Sequence, residues 1–166
     1  LLVSRQLVIY TTSTFYEYSR MTLKSEMMLY EQSLDLIGVS TPSCLNPLLL
    51  IKPHPLTSEE KLSLFANIQS DFLNRGYLTS VRLLSLLAEI PLELLIAYFL
   101  SINSNQEIIL YSSSAACIPS LIAFPGLKVK ILFGKLLSPD LFLSDVKYKN
   151  RILQEERLNQ IIFQLL

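Results

Sequence analysis

Short apolar runs alternate with segments of helical period along the chain. Residues 6–12, QLVIYTT, are short, apolar and partly β-branched, which predicts a strand. In residues 22–38, Leu23, Met27, Tyr30, Leu34 and Ile37 recur every three or four positions, one apolar helix face with Gly38 as a fitting stop. PLLLIKP, 47–53, is continuously apolar, as a parallel strand covered on both faces would be. Thr57 and Glu60 then read as a capping box opening a helix. Its Leu62, Phe65, Ala66, Phe72 and Leu73 are expected to face inward, and Gly76 to end it. Further strands are expected at 81–87, 107–111 and 127–134, with LFLS, 141–144, as a short extra one. Helices are expected at 91–102, with Pro91 near the first turn, over part of 112–124, and from 145 to the end.

This β-α-β-α order predicts one α/β domain over 1–166, a doubly wound, mostly parallel sheet of Rossmann-like form. Such sheets bind ligands beyond the carboxyl ends of their strands. Two features fall at those ends. In KPHP, His54, the only histidine of the chain, stands between Pro53 and Pro55 just after Lys52. The prolines fix φ on either side and remove two N–H groups, so the loop is stiff and aims the imidazole reproducibly. An imidazole there can donate to a phosphate oxygen or pass a proton; the plainer alternative is a histidine satisfied by a backbone carbonyl. Ser112, Ser113 and Ser114 follow the strand EIILY, where hydroxyls and helix N–H groups would make an anion site, or where one serine simply caps the helix. Glu93, in the first turn of the 91–102 helix, either accepts from ligand hydroxyls or complements the helix dipole.

Composition narrows the partners. Lys+Arg and Asp+Glu are 14 each, so no global field recruits nucleic acid. Charged residues are only 17% of the chain, so some apolar surface is expected to cover a further domain, a partner or a membrane face. Cys44 and Cys117 are far apart and form no CxxC, which suggests two buried thiols in a reducing compartment and no zinc site. Residues 83–102 are long enough to span a bilayer, but Glu89, Glu93 and Pro91 interrupt them, so they read as strand, break and helix. The opening, LLVSRQLVIY, resembles neither a signal peptide nor a natural start and reads as the edge of a fragment.

KPHP after one apolar strand, and YSSS after another some 58 residues on, resemble the HP and S/T motifs of bacterial sialyltransferases of the polysialyltransferase type, inverting enzymes of the glycosyltransferase-B fold. TTSTFYEYSRMTLKSEMMLYE resembles their strand leading to an acidic motif and an acidic helix. The likeness covers roughly residues 6 to 135, and implies the nucleotide-binding C-terminal half without the acceptor-binding half. It implies CMP-sialic acid or a related nucleotide sugar as donor, a surface glycan such as capsule or lipopolysaccharide as acceptor, and no cofactor or metal. His54 would contact the phosphate and assist departure of CMP, with Lys52 beside it and Ser112, Ser113 and Ser114 binding from the other side. Glu17 would be the base that deprotonates the acceptor. Such a chain would work in the cytoplasm, in peripheral contact with the inner membrane.

The family's acidic motif has two carboxylates and a glycine, whereas YEYSR offers Glu17 alone, with Tyr18 and Ser19 following. Two alternatives therefore stand beside the leading one: a capsule or teichoic-type transferase using another CMP- or CDP-activated donor, and an inactive truncated homologue that keeps the fold. No G-x-S-x-G, P-loop or dinucleotide fingerprint occurs among the four glycines, and no Asp-x-Asp is present.

Overall fold

The computed structural model describes residues 6–41, 47–75, 80–102, 107–112, 118–122, 124–132 and 136–165. Five strands, β1 (Leu7–Thr11), β2 (Leu48–Lys52), β3 (Ser80–Leu83), β4 (Ile108–Ser112) and β5 (Leu127–Ile131), form one sheet in the order β3-β2-β1-β4-β5. Every pairing is parallel. Between and after them lie α1 (Leu23–Ser40), α2 (Glu59–Asn74), α3 (Leu92–Ile102), α4 (Ile118–Leu121) and α5 (Asp145–Leu165).

The continuous apolarity of the inner strands has a direct cause. Successive side chains alternate between faces, and both faces are covered. Val8, Tyr10, Leu49, Ile51, Ile109 and Tyr111 face α1 and α2, meeting Tyr30, Leu34, Ile37, Phe65 and Phe72. Leu7, Ile9, Leu48, Leu50, Ile108 and Leu110 face the other way, onto Leu92 and Ile96 of α3 and Leu121 of α4. The sheet is thus wound on both sides, as expected. A third cluster, with Phe15, Met21, Leu29 and Phe142, has Tyr148 and Leu158 of α5 packed against it.

Several local expectations need correction. Gly38 does not stop α1, which runs on to Ser40; Gly38 is buried inside the helix and lacks the left-handed φ of a terminating glycine. The N-cap of α2 is Ser58, whose Oγ accepts from Lys61 N, so Thr57 and Glu60 form no capping box. The reason is the preceding turn: Thr57 N–H donates to the His54 carbonyl, which commits Thr57 to closing that turn and delays the helix by one residue. Ala66 is exposed. The helix closes at Asn74 with Arg75 as its C-cap, and Gly76, expected to end it, lies outside the described residues. The predicted strand at 81–87 becomes β3 followed by a 3₁₀ turn, Ser85–Leu87. LFLS forms no strand of the sheet; Leu141 ends a 3₁₀ turn and Phe142 makes a single antiparallel bridge to Met21.

Among the described residues no helix is long and apolar enough to cross a membrane. The 83–102 window divides into strand end, 3₁₀ turn and α3. That region still shows apolar surface: Leu86, Leu94 and Tyr98 are all more than half exposed.

Candidate functional site

The carboxyl ends of β2, β1 and β4 carry a row of polar residues. Thr11 is in register with Lys52 on one side and Ser112 on the other. At about 4.8 Å per strand, Lys52 and Ser112 stand about 10 Å apart with Thr11 between them. Thr11 Oγ1 donates to Ser112 Oγ at 2.9 Å, and Thr12 N–H donates to the Lys52 carbonyl at 3.1 Å. All three side chains follow the alternation onto the α3 face. The chain leaves β1 toward β2 and β3, then returns to β4 and β5, so β1 and β4 border the switch point at which ligand crevices open in such sheets.

A cavity of about 220 Å³ lies at this edge, lined by Thr11, Thr12, Lys52, His54, Pro91 and the opening residues of α3, Leu92 and Glu93. Lys52 is buried, and its ammonium donates to the carbonyls of Ala88 (2.9 Å) and Pro53 (3.3 Å). His54 occupies the first position of a turn with Pro55 second, the placement that proline's fixed φ favours. Its backbone N–H donates to Thr12 Oγ1 at 3.3 Å, tying the loop to β1. Nδ1 accepts the Leu56 N–H at 3.1 Å, which assigns the ring proton of the neutral form to Nε2. Burial pushes the His54 pKa below its ordinary value, Lys52 lowers it further, and Glu17 partly offsets this. Burial thus favours the neutral imidazole, in which the remaining nitrogen is a donor.

The chemistry available is recognition of an anion. A buried ammonium, an imidazole N–H, threonine hydroxyls and the positive end of α3 line one small space. Glu93 opposes this at one wall, where its Oε1 accepts from Ser120 Oγ of α4 at 3.3 Å. Such a carboxylate suits hydroxyl groups next to the anion and disfavours the anion itself.

The remaining expected residues are placed as follows. Ser112 is the final residue of β4 and fully buried, so it belongs to the sheet and not to a helix N-terminus. Ser113 and Ser114 lie outside the described residues, as do Cys44 and Cys117. Glu17, on the loop after β1, accepts from Ser58 N–H at 3.1 Å through Oε1 and pairs with Lys61 Nζ at 2.9 Å through Oε2. Lys61 is completely buried and also meets Glu26 Oε1 at 2.8 Å and the Ser13 carbonyl at 2.7 Å. Glu26 in turn accepts from Ser13 Oγ and from the N–H groups of Phe15 (3.1 Å) and Tyr16 (2.7 Å).

Sequence reasoning missed Lys61 and Glu26, although a signal existed. Glu26 falls three after Leu23 and four before Tyr30, and Lys61 four before Phe65, both on core-facing stripes. A charge at a core-facing helical position implies a buried partner. Among the described residues no group of histidine, cysteine and carboxylate side chains could hold a metal ion. Compared with protein-family models, with curated proteins and with solved structures, the chain matches none.

Proposed function

We propose that the strand-edge cavity binds the phosphate of a nucleotide-activated sugar, and that the chain is the nucleotide-binding part of a sialyltransferase-type glycosyltransferase. The observation that carries this reading is the convergence of Lys52, His54, Thr11, Thr12 and the start of α3 on one cavity at the carboxyl edge of a doubly wound sheet. The KPHP resemblance supports CMP-sialic acid as the donor, with a surface glycan as acceptor at the cytoplasmic side of a membrane. Lys52 offsets the phosphate charge, and His54 Nε2–H donates to the phosphate and follows the leaving CMP. Glu93 receives the ribose hydroxyls. The donors are all protein groups, and binding needs no divalent cation.

The engagement of both Glu17 oxygens favours a second reading, a chain that binds the nucleotide without transferring the sugar. A carboxylate tied to an ammonium and a backbone N–H is poorly disposed to take a proton from an acceptor. Calorimetry with CMP, UMP and AMP in the presence of EDTA tests the common core of both readings. CMP is expected to bind most tightly, and His54→Ala to weaken it. Equal binding of the three, or affinity that appears only with magnesium or manganese, removes the proposal. Where transfer occurs, His54→Ala should also slow it by about 10²–10⁴-fold.

A further inference from the structure

A second cavity, of about 290 Å³, lies between α5 and the loop that follows β1 and shares no lining residue with the strand-edge site. It is lined by Arg20, Lys147, Arg151 and Arg157, with the amides of Asn150 and Gln154 between them. Four of the chain's 14 cationic side chains thus share one small space with no carboxylate among its described lining residues, in a protein of zero net charge. Positions 147, 150, 151, 154 and 157 follow the spacing of one helix face, so α5 alone delivers most of the lining.

This arrangement runs against the stability of the helix itself. Lys147 and Arg151 stand at i and i+4, where like charges repel. Burial pushes the Arg151 pKa down, Glu155 pulls it back, and Arg20 adds to the depression. Three of the four cations are nevertheless held in place. The Arg151 guanidinium lies 5.3 Å from the centre of the Phe15 ring, and its Nε donates to Glu155 Oε1 at 3.1 Å. Arg20 Nη1 donates to Gln154 Oε1 at 3.3 Å, and Lys147 Nζ donates to the Ser19 carbonyl. Ser19 has a φ of +52°, a left-handed conformation that a non-glycine residue keeps only where its surroundings impose it.

We propose that this cavity binds a small ligand through a diphosphate group. Three guanidinium groups offer planar, two-pronged donors that match phosphate oxygens. Even with Arg151 paired to Glu155, the lining keeps an excess of positive charge, which a phosphate monoester (about −1.5 to −2) or the more highly charged diphosphate matches better than a single carboxylate. The volume, close to the lower bound of about 300 Å³ for small-molecule sites, suits a compact ligand. The same chemistry serves free diphosphate and a diphosphate ester.

The test is calorimetry on the whole chain with inorganic pyrophosphate, orthophosphate, ADP and a tricarboxylate, tricarballylate. Pyrophosphate is expected to bind at least tenfold more tightly than orthophosphate or tricarballylate. Arg157→Gln, an exposed position, should weaken it about tenfold, and Arg157→Glu more, while both variants keep the melting temperature of the parent. His54→Ala should leave pyrophosphate affinity unchanged, which separates this site from the strand-edge cavity. Tighter binding of ADP than of pyrophosphate supports the site with an ester as its ligand, and the reverse supports it with free diphosphate. Tricarballylate binding as well as pyrophosphate, unchanged affinity in Arg157→Glu, or loss of pyrophosphate binding in His54→Ala overturns the proposal.

Discussion

His54 shows how one residue serves the loop and the site together. Its Nδ1 accepts the Leu56 N–H and fixes the turn, which leaves Nε2 as the donor in a cavity shared with Lys52. Because burial and Lys52 lower its pKa from 6.5, the unfolded chain takes up the proton more readily than the folded one. The stability this residue contributes is therefore full above pH 6.5 and is lost as the pH falls through the window just below it, levelling off below the folded-state pKa. With one histidine in the chain, a single imidazole signal reports it by NMR. The titration midpoint is expected below 6.5 in the protein alone and to rise when CMP is added, since a phosphate beside the ring favours the imidazolium. A midpoint that does not move with saturating CMP would place the nucleotide elsewhere. The stiff KPHP loop and its place at a strand end were legible in the sequence, because prolines act locally. The internal Nδ1 bond was not, since it depends on the turn that Pro55 and Thr57 close.

At the level of elements, the strands were readable to within a residue or so at β1, β2 and β4 because burial on both faces demands unbroken apolarity there. The errors came where two local signals competed. Thr57 and Glu60 match a capping box in spacing, yet the turn from His54 claims Thr57 and passes the cap to Ser58. Tyr111 looked like the end of its strand, yet pairing with Thr11 and Ile131 extends β4 to Ser112 and turns that serine inward. The cap assignment has a direct test. Ser58→Ala should destabilise the protein by about 1 kcal/mol in chemical denaturation, the usual worth of an N-cap hydroxyl. Thr57→Val should cost less or even stabilise, because Thr57 Oγ1 is buried with no hydrogen-bond partner among the described residues. The opposite ranking would restore Thr57 as the cap.

Across the whole molecule, Lys61 joins three parts that lie far apart in sequence. It reaches from α2 to Glu26 of α1 and to Ser13 and Glu17 of the loop after β1, and Glu17 closes the circuit by holding the N-terminus of α2. This loop also carries Thr12, which anchors His54, and Arg20, which lines the basic cavity. The network thus fixes the carboxyl edge of β1 against both helices of one face, and both cavities depend on that edge. Such long-range pairing leaves only a faint trace in a single sequence, which is why Glu17 reads as a lone catalytic acid there. Removing the central cation should be severe. Lys61→Met leaves two inward carboxylates facing each other and is expected to cost about 3–5 kcal/mol, the range for breaking a buried ion pair from one side. Glu17→Gln keeps an oxygen for Ser58 N–H and leaves Lys61 with Glu26, so its cost should be nearer 1–3 kcal/mol. If Glu17 acts mainly by holding this loop, Glu17→Gln lowers the melting temperature and weakens CMP binding together. A Glu17→Gln protein with parental stability and CMP affinity that has lost only sugar transfer would instead make Glu17 the base.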